Sequence, residues 1–375
     1  MKITVERGAF LKSLNHVQSV VERRNTIPIL SNVLIDAQKN KVSLMATDLD
    51  IEIVESLVAD VTKPGAVTVG AHTLYDIVRK LPEGAQVALE VSGTDGRLQL
   101  SAGRSRFALA SLPREDFPAM SAGALPHKFS LSPSDLKRLI DKTRFAISQE
   151  ETRYYLNGIY LHAAKAKEGS LLRAVATDGH RLARFELPMP EGASGMPGVI
   201  APRKTVNELR KLLDDSEGVV DIAVSDTKIR FALGQITLTS KLIDGTFPDY
   251  QRVIPTGNDK KMEVNARELA QATDRVSTIS AEKTRAVKLA LEGKRLSLSV
   301  VNPESGSASE ELTVDYAAAP IEIGFNGRYL LDILQQLSGS EAHFLLMDSG
   351  SPTVVRDAGE GADEATLYVL MPMRV

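Results

Sequence analysis

The sequence predicts an α+β protein built from three tandem copies of one domain, each with two helices packed on antiparallel sheets. Three observations carry this. The strand phrase Val42-Ser43-Leu44-Met45-Ala46-Thr47-Asp48 recurs as Leu171-Leu172-Arg173-Ala174-Val175-Ala176-Thr177-Asp178, and more weakly as Leu296-Ser297-Leu298-Ser299-Val300-Val301-Asn302. From Asp48 to Asp178 to Asn302 the offsets are 130 and 124 residues. An apolar residue followed by proline keeps the same two offsets at Phe117-Pro118, Phe247-Pro248 and Met371-Pro372. Within each interval the same succession of helical and alternating segments returns. Fixed-period self-similarity signals repeated structural units, and 375 residues is too long for one ordinary core.

The elements follow in order. Met1 to Val5 alternates as a strand, and Phe10, Leu14, Val17 and Val21 give a helix over Ala9–Val21. The second helix of the first repeat is His72–Leu81. Thr94-Asp95-Gly96 separates Val87–Val91 from Arg97–Ala102 and predicts a hairpin, with a further strand over Gly103–Leu112. In the second repeat Ser132-Pro133-Ser134 offers a helix start, since serine caps free N–H groups and proline tolerates the first turn. Leu136, Leu139, Ile140, Thr143 and Ile147 form its stripe, and Arg203–Leu213 is its second helix. In the third repeat Leu269, Ala270, Thr273 and Val276 match, followed by Arg328–Leu337. Turn-rich linkers at Ser121–Pro126 and Pro255–Asp259 set the expected domains at 1–122, 123–256 and 257–375. Pro188–Pro197, Ser305–Ser309 and Ala358–Glu364 read as loops.

Composition narrows the function. There is no cysteine, which excludes disulfides and thiolate metal sites and fits a reducing compartment. No basic segment leads an apolar signal core, and no apolar run approaches a membrane span, so a cytoplasmic protein without a membrane partner is expected. The chain carries −3 overall, yet the helical segments with their flanks, counted over 6–24, 72–81, 134–144, 203–213, 266–276 and 328–337, carry a net +8 and the remainder −11. That distribution fits a positive face presented to phosphate, and equally fits helices with ordinary mixed-charge solvent faces. Aromatics are 5% of the chain and Trp is absent, which disfavours a base-stacking platform. No zinc-finger or helix-turn-helix pattern is present, so any nucleic acid is held by its backbone.

Catalytic signatures are missing. The histidines 16, 72, 127, 162, 180 and 343 show no metal-ligand spacing, and no phosphate loop or nucleophile elbow occurs. No cofactor or metal is expected. Thr177-Asp178-Gly179-His180-Arg181-Leu182 admits an acid–base pair or a tight turn; the first repeat has Thr47-Asp48-Leu49-Asp50 there, without histidine, which favours the turn.

Several phrases carry a family resemblance. Arg153-Tyr154-Tyr155-Leu156-Asn157-Gly158, Ala176–Ala183, Thr239–Tyr250, Gly103-Arg104-Ser105-Arg106-Phe107, Ile323-Gly324-Phe325-Asn326 and the ending Met371-Pro372-Met373-Arg374-Val375 resemble the β subunits of bacterial DNA polymerase III, the sliding-clamp family. The resemblance runs from Met1 to Val375. It implies a non-catalytic, head-to-tail homodimer of six domains in a ring around duplex DNA, bound without sequence preference. Its partners would be the polymerase III α subunit, the clamp loader, and other polymerases and repair proteins, each through a short peptide.

The resemblance also assigns residues. The peptide pocket carries over as Leu156, Thr177, Gly179, His180, Arg181, Leu182, Pro248, Arg252, Val253, Val369, Leu370, Met371, Pro372, Met373 and Arg374. Flexible methionines suit a groove that accepts several peptides, with arginines at the rim and turn N–H groups orienting polar atoms. Without the resemblance the terminal methionines read as an edge strand packed on core. DNA contacts carry over as Arg24, Tyr154 and Tyr155, with Arg79, Lys80, Lys137, Lys204 and Arg210 as helix candidates. The dimer interface carries over as Arg104, Arg106, Phe107 and Leu109 meeting Ile279, Glu304, Glu310 and Glu311 of the other copy. Phe107 and Leu109 alternatively read as a core strand face. Four departures from the family pattern stand out: Glu150, Thr278, Pro352 and the weakly acidic Ser305–Ser309.

Overall fold

The computed structural model describes residues 1–91, 96–121, 123–166, 169–280 and 285–374. The first repeat forms β1 (Lys2–Glu6), α1 (Arg7–Gln18), β2 (Asn32–Gln38), β3 (Lys41–Thr47), β4 (Ile51–Val58), β5 (Asp60–Lys63), β6 (Gly65–Gly70), α2 (Ala71–Lys80), β7 (Gln86–Val91), β8 (Leu98–Ala102), β9 (Ser105–Leu109) and β10 (Ser111–Leu112). The second forms β11 (His127–Leu131), α3 (Pro133–Asp141), β12 (Gly158–Lys165), β13 (Ser170–Thr177), β14 (Arg181–Pro188), β15 (Val199–Pro202), α4 (Arg203–Asp214), β16 (Val220–Val224), β17 (Lys228–Leu233) and β18 (Ile236–Lys241). The third forms β19 (Lys260–Asn265), α5 (Ala266–Ser277), β20 (Ala286–Glu292), β21 (Arg295–Asn302), β22 (Gly306–Thr313), β23 (Asp315–Tyr316), β24 (Ile321–Asn326), α6 (Gly327–Leu334), β25 (Glu341–Leu346), β26 (Thr353–Ala358) and β27 (Thr366–Leu370).

All six helices stand where the sequence put them, and four of their starts, those of α1, α3, α5 and α6, carry a side-chain cap. The Glu6 carboxylate accepts from Gly8 N at 2.8 Å and Ala9 N at 2.7 Å, so α1 begins two residues before Ala9. Ser132 Oγ accepts from Asp135 N at 3.0 Å, as its position before Pro133 predicts. Asn265 and Asn326 cap α5 and α6 in the same way. The expected stripe of α3 runs too far: the helix stops at Asp141 and a short 3-10 turn over Arg144–Ala146 carries the chain on to Ile147.

The chain divides into two compact units. One contains residues 1–136, 190–197 and 204–242. It holds a five-stranded sheet ordered β5-β1-β7-β8-β9 and a nine-stranded sheet ordered β10-β6-β2-β3-β4-β18-β17-β16-β11. The larger sheet crosses a repeat boundary where β4 pairs antiparallel with β18, Ile53 opposite Leu238 and Glu52 opposite Thr239. Phe10, Leu14 and Val17 of α1 are wholly buried. The buried His16 ring fastens the same junction: Nδ1 lies 2.8 Å from Glu55 of β4, and Nε2 3.2 Å from Asp215 beyond α4. Burial opposes the charge on His16, but the two carboxylates outweigh it and hold the pKa above the ordinary imidazole value.

The other unit contains residues 137–189, 198–203 and 243–375. It holds a four-stranded sheet ordered β22-β21-β20-β24 and a nine-stranded sheet ordered β15-β12-β13-β14-β27-β26-β25-β19-β23. Here β14 pairs with β27 across the next repeat boundary, Arg181 opposite Leu370 and Leu182 opposite Val369.

Three loop and strand expectations change. Gly103–Leu112 is not one strand: β9 pairs with β8, while β10 leaves for the nine-stranded sheet and pairs with β6. Residues Gly306 to Ser309 are not loop but the first half of β22. Ala358 closes β26, and Gly359 and Gly361 turn beyond it at positive φ. The Val87–Val91 and Arg97–Ala102 hairpin stands, as β7 pairs with β8. Thr94 and Asp95 of its turn, Ala122 of the first linker and Val375 of the ending lie outside the described residues.

Candidate functional site

The turn between β13 and β14 is built by two side chains. Asp178 Oδ1 accepts from His180 N at 2.9 Å and Arg181 N at 3.0 Å. Thr177 Oγ1 accepts from Gly179 N at 3.1 Å and donates to Arg181 O at 2.7 Å. Gly179 sits at φ +88, where a side chain is strained, and a Cβ there would displace the Arg153 guanidinium, whose Nη1 would lie 2.7 Å away. The turn N–H groups are therefore already satisfied, and the expectation that they orient a peptide is corrected. Nor do Asp178 and His180 form an acid–base pair. Asp178 is bound to two N–H groups and the Arg181 guanidinium, while the His180 ring stacks on Tyr329 at 6.0 Å.

Beside this turn lies an apolar floor. Leu156, Leu182 and Val369 share one buried cluster with Val175, Ile200, Phe247, Tyr250, Val354 and Leu367. Leu370 is also fully buried. The segment Phe247–Tyr250 is held onto the sheet by rings and a hydroxyl. Phe247 stacks on Tyr160 at 4.8 Å, and Tyr250 Oη accepts from Arg173 Nη1 at 2.8 Å and meets His162 Nε2 at 2.9 Å. Burial lowers the His162 pKa, which favours the neutral ring. Around the floor Pro248, Arg252, Val253, Met371 and Arg374 are exposed, and Pro372 and Met373 half-buried. Met371 N donates to His180 O at 2.9 Å, which ties the C-terminal segment to the turn. The carried-over residues thus divide into a buried group, Leu156, Leu182, Val369 and Leu370, and a group that is exposed or half-buried. Arg181 departs from the rim position that the resemblance implies: it is buried, bonded to Asp178 and Asp332.

Sequence reasoning missed Asn326 and Tyr329. With Gln149, Glu150, Arg285 and Arg328 they line a cavity of about 410 Å³ that also touches Asp178, His180 and Arg181. Asn326 closes a phrase that the resemblance uses, so its neighbourhood was the available signal.

The DNA candidates fare unequally. Arg24 and Tyr154 are exposed, and Tyr155 is half-buried edge-on to Tyr154 at 5.8 Å. Lys80 is exposed, and Arg79 is exposed beside Asp76 at 3.0 Å. Lys137 is half-buried. Arg210 pairs with Asp214 at 2.6 Å. Lys204 is used up within its own unit by Asp48 at 2.7 Å, Glu22 and Val20 O. Burial opposes its charge, but the Asp48 and Glu22 hydrogen bonds outweigh that and hold its pKa above the ordinary lysine value.

The interface candidates sit on two sheet edges. β9 is the last strand of the five-stranded sheet; Phe107 and Leu109 share one half-buried face, while Arg104 and Arg106 are exposed. β22 is the last strand of the four-stranded sheet. Its Glu310 is held by Arg275 at 2.9 Å, and Glu311 lies 3.4 Å from Arg295, so both have partners in their own chain. Glu304 is exposed and Ile279 half-buried.

Three family domains match in succession along the chain: DNA polymerase III beta subunit N-terminal domain over residues 1–121, central domain over 130–249 and C-terminal domain over 251–374. The chain belongs to the DNA polymerase III beta subunit family. It is 56% identical over 375 residues to the beta sliding clamp of Caulobacter vibrioides, with 100% of both chains covered. To the beta sliding clamp of Escherichia coli K12 it is 40% identical over 376 residues, again covering 100% of both. Among solved structures, a DnaN sliding clamp (DNA polymerase III subunit beta) from Bartonella birtlesii bound to griselimycin superposes with a TM-score of 0.97 at 55% identity and 100% coverage of both chains. The C. crescentus beta sliding clamp with bound PEG gives a TM-score of 0.98 at 56% identity, covering 100% of this chain and 99% of that one. The fold is therefore that of a sliding clamp of DNA replication: three tandem clamp domains in a non-catalytic processivity factor. Among the described residues no helix is long and apolar enough to cross a membrane.

Proposed function

We propose that two copies of this chain close head to tail into a six-domain ring that encircles duplex DNA in the cytoplasm. The ring tethers the replicative polymerase, the clamp loader and other DNA-processing proteins through a peptide pocket in each copy. The domains divide near residues 122 and 256. One observation carries the closure. Each repeat boundary inside the chain is spanned by a nine-stranded sheet, five strands from one of the two repeats and four from the other. The two chain ends are left with the five-stranded sheet ending in β9 and the four-stranded sheet ending in β22. Pairing β9 of one copy with β22 of another makes a third sheet of the same kind, and removes two free edges. Phe107 and Leu109 supply its apolar contact, and Arg104 and Arg106 face the acidic residues, of which Glu304 has the greatest freedom.

In the pocket, Leu156, Leu182, Val369 and Leu370 form the floor, with Thr177, Gly179 and His180 on the turn beside it. Pro248, Arg252, Val253 and Met371 to Arg374 form an adaptable rim. Duplex DNA is held by Arg24, Arg79, Lys80, Tyr154 and Tyr155 through its backbone, loosely enough to slide. Lys137 and Arg210 are secondary contacts.

Light scattering tests the ring. A mass near twice 40.6 kDa is expected, and Phe107→Asp should give monomers because it puts an unpaired charge into an apolar contact. A dimer that survives the substitution overturns this interface. The pocket is tested by calorimetric titration with griselimycin, which the Bartonella relative binds; no heat of binding to the wild-type chain overturns the pocket.

A further inference from the structure

We infer that Arg184 and Arg356 form a site for a carboxylate side chain of a partner protein, on the same face of the nine-stranded sheet as the pocket floor. The two guanidiniums carry the site itself; that a partner's segment reaches it rests on the pocket reading above.

Register fixes the placement. Leu182 of β14 and Val354 of β26 both lie opposite Val369 of β27, and all three belong to the buried floor cluster. Side chains on a strand alternate between faces, so Arg184 shares the face of Leu182, and Arg356 that of Val354. Each arginine stands two residues, about 7 Å, along its strand from the floor. β27 runs between them, with Leu367 opposite Arg184. Two strand spacings put the arginine backbones about 10 Å apart, which leaves room for one acid group between two long side chains.

The positive charge here lacks acceptors. Arg173, the third arginine on this face, takes the one nearby carboxylate: its Nε donates to Glu186 Oε1 at 2.7 Å and its Nη1 to Tyr250 Oη at 2.8 Å. Arg184 is left 3.4 Å from the same Glu186 oxygen, and its Nε is buried without a hydrogen-bond partner. Burial presses the Arg184 pKa below the ordinary guanidinium value; Arg173 and Arg356 add to the effect, against Glu186 and Tyr250. Arg356 is exposed and, among the described residues, makes no hydrogen bond or ion pair. Glu263, farther along the same face, is already held by His343 at 2.7 Å and Lys261 at 3.0 Å. Three guanidiniums thus share one carboxylate. A second carboxylate matches the guanidinium fork and relieves the excess. A segment seated on the floor has its continuation within reach of both arginines, so an acidic side chain on it arrives at high effective concentration, which a free anion does not.

The test is calorimetric titration of the full chain at low salt with capped tetraglutamate, with capped tetraglutamine as the uncharged control. Tetraglutamate should bind saturably, one to one, and tetraglutamine should give no heat. Arg356→Gln, at an exposed position that the fold does not need, should weaken tetraglutamate binding about tenfold. Arg184→Lys, which keeps the charge and loses the fork, should weaken it severalfold. Lys63→Gln, an exposed charge in the other unit, should leave it unchanged. Unchanged binding in either arginine variant overturns the site, and an equal loss in Lys63→Gln reduces it to bulk charge. Inorganic phosphate is titrated in parallel: if it binds at Arg356 more tightly than tetraglutamate does, the occupant is a free anion and the partner's carboxylate is wrong. Griselimycin titration separates this inference from the pocket reading. A wild-type chain that takes griselimycin but not tetraglutamate keeps the pocket and loses this site; one that takes tetraglutamate but not griselimycin keeps the anion site and loses the pocket, and with it the partner's approach.

Discussion

The two repeat boundaries inside this chain share a scaffold and differ in what they put on it. At the first, the turn Thr47-Asp48-Leu49-Asp50 is bonded like its counterpart at the second. Thr47 Oγ1 donates to Ile51 O at 2.9 Å, and Asp48 Oδ1 accepts from Asp50 N at 2.9 Å and Ile51 N at 2.8 Å. The turn's bonding is shared while its residues from Leu49 on differ, and the facing strand pairs differ too. Where the second junction has Leu182 opposite Val369, the first has Glu52 opposite Thr239. Glu52 is buried and accepts from Met120 N at 2.8 Å. One floor is apolar with a rim of exposed side chains; the other is polar and sealed by its own loop. Two facing positions on a shared frame thus set an apolar surface at one junction and a polar one at the other.

Four substitutions break or sharpen that contrast. Leu182→Glu writes the first junction's residue into the second, where no partner awaits it. It should cost about 3 kcal/mol or more by denaturant unfolding and abolish griselimycin binding. Restored affinity at full stability would mean that the floor is irrelevant. His16→Gln removes the ionic clasp of the first junction, and should cost about 2 kcal/mol near pH 6. The pKa of His16 is raised in the fold, so its contribution is complete below the unfolded imidazole value and fades as pH rises through the folded one. The wild-type advantage over His16→Gln should therefore shrink in alkaline buffer; a pH-independent gap would rule out the imidazolium. Glu52→Gln should stabilise by about 1 kcal/mol at neutral pH. Burial raises the Glu52 pKa, so the folded protein favours the neutral acid, and wild type should draw level with the variant as the solution is acidified. The smallest effect belongs to Leu49, exposed at φ +79 with no need for a side chain. Leu49→Gly should gain no more than about 1 kcal/mol in thermal unfolding, as relief of left-handed strain is partly offset by chain entropy.

The contrast also explains what the sequence could be made to say. The repeat, the six helices and the Thr-Asp turns were legible because they are local: periodicity, caps and turn residues are written within a dozen positions of one another. The buried floor residues Leu156, Leu182 and Val369 were reached through a family resemblance, since single leucines and valines look alike wherever they stand. Sheet continuity across repeats was not legible, because the pairing of β4 with β18 joins residues about 185 apart and depends on register that no local pattern encodes. The split of Gly103–Leu112 into two sheets escaped for the same reason. Arg181 was misjudged because an arginine in a turn is usually a solvated charge. Only the arrival of Asp332 and Tyr329 from 150 residues away makes it interior.

The unequal sheets at the two chain ends give the molecule a direction. A five-stranded end cannot complete itself against another five-stranded end in the manner of the internal sheets, so a copy that adds by this rule must face the same way round as its neighbour. A closed circle made under that constraint has two different sides. In the proposed ring every copy would turn its Met371 toward the same one, and a partner docked there would meet the DNA in a single orientation. Strand arithmetic at the ends of one chain thus becomes, in the assembly, a distinction between front and back.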